Sequence, residues 1–240
     1  MGQMPFAFTF DNLEFQFKTA LDQGYCFCTC ADYVKKKKEG EINKLIVNRV
    51  DIDFSVKKAS RLGEIFNRLG IKGSFFVRLH AKEYNPFSFE NYRIIKELIE
   101  SGHEIGYHSE VVDQSAIWNE SARRCLKRDI AVINAMFDIN IAGVASHGGM
   151  TGLNNLDFWS DNDSAEFGLL YEAYDKKEPF NLFEDSLYLT DSEWTRWKCY
   201  NHGRLVEGDR RNLEEHLFDG HNLIYLLIHS DTYFDKHFYE

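Results

Sequence analysis

Asp51 and Asp53 stand two residues apart at the end of "NKLIVNRVDID", so both point to one side of what reads as a buried strand. An ionised carboxylate costs several kcal/mol to bury unless a partner, often a metal ion, compensates it. Three histidines stand in comparable places: His108 closes "HEIGYH", His147 follows "IAGVAS", and His229 follows "LIYLLI". Carboxylates and imidazoles converging on one mouth make the ligand set of a zinc-like divalent ion.

Convergence requires elements that carry these residues to the same end of a fold. "NKLIVNRVDID" is almost continuously apolar before its aspartates, as a strand covered on both faces is. Val56, Ala59, Leu62, Ile65, Phe66 and Leu69 then fall on one helical stripe, with Ser55 as N-cap and Gly70 as stop. The strand "GSFFVRL", a loop with "YNPFS", and a helix carrying Tyr92, Ile94, Ile95, Leu98 and Ile99 precede "HEIGYH". Upstream, "DNLEFQFKTALDQG" reads as a helix and "YCFCTC" as a strand, with Cys26, Cys28 and Cys30 on one face as small buried thiols. Downstream come a long helix from about Gln114 to Phe137, a less regular stretch over 150–182, "LYLTDS", and a last strand "NLIYLLIHS". Alternating strands and helices predict an α/β fold with a parallel sheet, open or closed into a barrel, whose site sits at the C-terminal strand ends.

The series "RVDIDFS", "GSFFVR", "YNPFS", "GHEIGYHSE", "ASHGG", "YLTDS" and "LLIHSD" resembles the polysaccharide deacetylase (NodB-type) superfamily over residues 45 to 231. It is nearest to a divergent branch with an H-D-V-D-like motif. The resemblance implies a distorted (β/α) barrel, in one domain over 1–240, and metal-dependent hydrolysis of acetyl groups on sugars. Asp53 then corresponds to the metal-binding aspartate and His108 to the first metal histidine. Asp51 corresponds to the general base and His229 to the general acid. Two positions depart from the pattern. Val112 stands where a second metal histidine is expected, and "ASHGG" has no arginine to orient the catalytic aspartate. The third ligand is therefore sought at His147, Glu110 or Asp113, in that order. Tyr84, Asn85, Glu110 and Trp194 are the candidate substrate contacts, with Trp197 placed to stack on a sugar or to cover the barrel end. For His229, Asp231 is the expected hydrogen-bond partner, raising the imidazole pKa.

Bulk properties narrow the partners. The chain has 240 residues, a formal net charge of −10 and few prolines. That balance disfavours nucleic acid, and the run Lys35–Lys38 reads as a solvated turn. The opening residues lack a signal-peptide pattern, and Phe6 displaces the Ser or Thr of a myristoylation start. No stretch reaches the length of a membrane span. Thiols kept reduced lead to the expectation of a cytoplasmic protein. The expected activity is a zinc-type metal-dependent deacetylase acting on a carbohydrate or nucleotide-sugar intermediate, as in surface polysaccharide biosynthesis. A carbohydrate-binding protein without turnover, or a hydrolase of another C–N bond, are the alternatives; the oligomeric state is not legible.

Overall fold

The computed structural model describes residues 7–193 and 196–236. Its strands are β1 (Cys26–Cys28), β2 (Leu45–Ile52), β3 (Ser74–Val77), β4 (Glu104–Ser109), β5 (Gly143–Ser146), β6 (Tyr171–Glu172), β7 (Leu187–Thr190), β8 (Lys198–Asn201), β9 (Arg204–Leu205) and β10 (Leu223–His229). The helices are α1 (Phe10–Asp22), α2 (Cys30–Glu39), α3 (Val56–Leu69), α4 (Phe89–Glu100), α5 (Val111–Trp118), α6 (Ala122–Phe137), α7 (Leu182–Asp185) and α8 (Leu213–Leu217). All strands join one sheet in the order β6-β5-β4-β3-β2-β10-β7-β8-β9, with β1 also on β2. Pairing is parallel from β6 across to β7 and antiparallel through β8 and β9.

Every residue of β2 is buried, because alternate side chains serve two different cores. Ile46, Val50 and Ile52 enter the outer layer under the helices, while Leu45 and Val47 join Phe76, Tyr171, Tyr188 and Tyr225 inside the curl of the sheet. Among the described residues no strand pairing closes β6 onto β7. Side chains bridge that gap instead: the Tyr225 hydroxyl donates to the Ala173 carbonyl at 3.2 Å, and the Tyr174 and Tyr188 hydroxyls meet at 2.9 Å. The sheet is thus a barrel distorted by an unpaired seam.

Helix α3 forms as its sequence predicts. Ser55 accepts from Lys58 N at 3.2 Å, Gly70 ends the helix at φ 69°, and Val56, Ala59, Leu62 and Phe66 are buried on the predicted stripe. Each such side chain contributes roughly 1.5–3 kcal/mol by leaving water. Three expectations are corrected. The strand at "YCFCTC" stops at Cys28, because Thr29 caps a helix by accepting from Asp32 N at 3.0 Å. Cys30 therefore belongs to α2, Cys26 is exposed, and all five cysteines are free. The basic run is the last turn of α2, where cations meet the negative end of the helix dipole. The single long helix after residue 114 is two, α5 and α6, divided at Asn119, which takes the left-handed conformation at φ 54°.

Candidate active site

Strand β2 points Arg49 and Asp51 into the mouth of the curl two residues apart, and Asp53 follows just past its end. Arg49 and Asp51 form a buried bidentate pair: Nε donates to Oδ1 at 2.9 Å and Nη2 to Oδ2 at 2.7 Å. The guanidinium also lies over the rings of Tyr174 (4.8 Å) and Phe76 (5.5 Å). Gly106 on β4 makes room for the Phe76 ring, since a Cβ there would lie 2.5 Å from it. Arg49 thus supplies the orienting cation that "ASHGG" lacks, from a different place in the chain. Burial alone would raise the Asp51 pKa, but Arg49 and His108 hold it below the usual carboxylate value, so Asp51 is ionised near neutral pH.

His108 ends β4 beside these acids. Its Nδ1 donates to the Ala145 carbonyl of β5 at 2.8 Å, which fixes the proton on that nitrogen, because a carbonyl can only accept. Nε2 then faces Asp51 Oδ2 at 3.3 Å and Asp53 Oδ1 at 3.4 Å. A lone pair aimed at two carboxylates is tolerable only if a proton or a cation stands between them. Asp53 Oδ1 is buried and makes no hydrogen bond. His147, one residue past β5, brings Nε2 to 3.9 Å from the same oxygen. Asp53, His108 and His147 offer ligand atoms all within 4.8 Å of one another, a donor set suited to a zinc-type ion. Burial, with His108 and Arg78 nearby, pushes the His147 pKa down to about 4, leaving a neutral ring able to coordinate.

The other expected ligands do something else. Glu110 is clamped by Arg78 Nη2 at 2.7 Å and lies 3.5 Å from His147 Nδ1, where it can orient that ring from behind. Asp113 accepts from Met150 N, Thr151 N, the Thr151 hydroxyl and Asn155 Nδ2. It holds the loop after β5, while Asn155 Nδ2 also reaches the His147 carbonyl at 3.1 Å. Val112 packs against the outer core.

Across the mouth, β10 presents His229. Its partner is Asp191, at the end of β7, and not Asp231: His229 Nδ1 lies 2.6 Å from Asp191 Oδ1, and the His229 backbone N–H also donates to that carboxylate. Asp231 instead accepts from Phe54 N at 2.9 Å and from the Ser230 hydroxyl. Burial would lower the His229 pKa, but Asp191, with Asp51 and Asp53 behind it, raises it to about 9. His229 Nε2 points back toward Asp53 Oδ2 at 4.0 Å.

These groups line a cleft of about 540 Å³. Its walls include Leu156, Tyr174, Phe183, Tyr188, Tyr200 and Leu227, an apolar and aromatic surface of the kind that packs on sugar rings. Tyr84 and Asn85 are not among the residues lining that cleft. The Tyr84 hydroxyl donates to the Ile52 carbonyl at 2.9 Å and accepts from Arg78 N, and Asn85 Oδ1 accepts from Phe87 N. Glu110 is likewise beneath the cleft, not on its wall. Trp194 lies outside the described residues, and Trp197 is fully buried, so it covers the core. Arg49 and Asp191 are the residues that sequence reasoning missed. Both had a signal: Arg49 continues the two-residue spacing of the aspartates, and Asp191 ends a strand like the histidines.

No family model matches the chain, and no curated protein does. Among solved structures, the catalytic domain of peptidoglycan N-acetylglucosamine deacetylase from Eubacterium rectale is similar at a TM-score of 0.45 and 15% identity, over 77% of this chain and 76% of that one. Chitin deacetylase from Colletotrichum lindemuthianum is similar at a TM-score of 0.34 and 15% identity, over 75% and 84%.

Proposed function

We propose that this chain is a metal-dependent deacetylase that removes an acetyl group, amide- or ester-linked, from a carbohydrate or nucleotide-sugar intermediate. One observation carries the reading: the donor group Asp53, His108 and His147 faces the Asp191–His229 pair across a single cleft, with ionised Asp51 between them. A divalent ion held by Asp53, His108 and His147 would supply Lewis acidity toward an acyl carbonyl. Asp51, held in place by Arg49, accepts the proton of an attacking water. His229, kept protonated by Asp191, donates from Nε2 to the departing nitrogen or oxygen. The aromatic walls hold the sugar so that its acetyl group enters between the two sides.

The test is acetate release from N- and O-acetylated sugars and nucleotide sugars by zinc-loaded protein, compared with chelated protein. Metal-dependent release from any of them supports the reading. A chain that binds one ion per molecule at this site but releases no acetate from the panel would instead favour a binding protein on the same fold.

A further inference from the structure

A second cluster of donors lies outside the cleft, where the antiparallel edge of the sheet meets α8. Cys199 on β8 is 1% exposed, and His216 on α8 is also 1% exposed. Neither ring nitrogen of His216 makes a hydrogen bond. Nε2 stops 3.6 Å from Asp209 Oδ1, and Nδ1 stops 3.7 Å from Asp219 Oδ2. Leaving a buried polar group unsatisfied costs about 1–3 kcal/mol. A fully buried imidazole aimed at a carboxylate and a thiol, yet bonded to neither, is therefore an arrangement that calls for something between them. Cys199, Asp209 and His216 each offer a ligand atom, and all three atoms lie within 4.8 Å of one another.

We infer that Cys199, Asp209 and His216 form a second metal site, structural in role and of zinc type, that ties the β8 edge of the sheet to α8. Sulfur, nitrogen and oxygen are the three donors that zinc takes, and a thiolate with a carboxylate balances its double charge. The surroundings fit a ligand shell. Asp219 stands behind the other side of the imidazole, where its carboxylate can accept a hydrogen bond from Nδ1–H and leave the Nε2 lone pair for the ion. Arg211 grips Asp209 through Nε and Nη2 and Asp219 through Nη1, fixing both carboxylates on their respective sides of the ring. The site also has a mechanical rationale. Loop 206–212 joins β9 to α8 and has few apolar residues, so an ion held by Cys199, Asp209 and His216 would tie the middle of that loop to both β8 and α8.

Cobalt(II) separates this site from the one in the cleft, because only this one contains sulfur. The full chain, loaded with cobalt alone in place of zinc, should show a near-ultraviolet sulfur-to-cobalt charge-transfer band. The band should persist in His108→Ala, which removes a ligand of the cleft, and should vanish in Cys199→Ser with the loss of one ion per chain. His216→Gln should lose it as well. Cys199→Ser is nearly isosteric, so a folded protein is available for the comparison even if His216→Gln unfolds. Absence of the band from the wild-type chain, or its survival in folded Cys199→Ser, would overturn the inference, whatever becomes of the deacetylase reading.

Discussion

His147 and His229 end neighbouring regions of one cleft, and both are largely buried, yet their imidazoles are driven in opposite directions. Burial disfavours the charged ring in each. At His147 the cations His108 and Arg78 add to that effect and outweigh the carboxylates of Asp53 and Glu110, bringing its pKa to about 4. At His229, Asp191 reverses it and brings the pKa to about 9. The β2–β4–β5 side therefore holds one neutral imidazole, His147, beside His108, whose pKa Asp51 and Asp53 raise against burial, and the β7–β10 side holds a protonated one. The same residue type at the same kind of strand end is thus held neutral on one side and protonated on the other. Both rings stand near carboxylates; they differ because two cations, His108 and Arg78, act on His147, while Asp191 bonds His229 Nδ1 at 2.6 Å.

Removing the coordinating side should have the largest effect. Asp53→Ala and His108→Ala should each abolish metal binding at the cleft and turnover with it, measured by elemental analysis and acetate release. Full cleft stoichiometry in both variants would place the ion elsewhere.

On the opposite side, His229→Ala should lower kcat by ~10² to 10⁴ while the ion stays bound. With His229 as the proposed acid, wild-type activity should fall as pH rises through about 9. Asp191→Asn should move that limb down toward the ordinary histidine value of ~6.5. The same shift affects stability. A pKa raised on folding contributes stability that is fully present below ~6.5 and is lost as pH rises to about 9. A rate profile whose alkaline limb ignores Asp191→Asn would break the proposed contrast between the two sides.

Arg49→Met tests the frame between them. It leaves Asp51 buried without its partner, and breaking a buried pair in this way costs about 3–5 kcal/mol. Urea denaturation should show that loss; a variant as stable as wild type would mean that Asp51 is protonated or rehydrated once the arginine is gone. The smallest effect is expected at Tyr84→Phe. Loss of its hydrogen bonds to the Ile52 carbonyl and from Arg78 N should cost about 1–3 kcal/mol of stability and leave KM unchanged. A marked rise in KM would return Tyr84 to the substrate.

Much of the frame can be read directly from local pattern. Helix α3, with Ser55 before it and Gly70 after it, needs only short-range chemistry to form. Strand β2 announces itself by its apolar run, and Asp51 and Asp53 share a face because side chains alternate along any strand. Local pattern misled where two local solutions competed. Thr29 could extend a strand or cap a helix, and packing of Cys30, Tyr33 and Val34 into the interior settled the helix. Strands β6 and β9 are two residues each, too short for any periodicity to show.

The sequence by itself determined which side chains reach the C-terminal ends of the strands: Asp51, Asp53, His108, His147 and His229 are placed there by strand periodicity and by where each apolar run stops. Which of them face one another, only the tertiary structure decided. Asp191 and His229 are 38 residues apart, and pair because β7 lies beside β10 in the sheet. His108 and His147 come together because β4 pairs with β5. Strand order is set by the packing of whole faces over long sequence separations, and charge follows from those neighbours, so proton affinity at each histidine is a property of the assembled sheet and not of the residue or its local sequence.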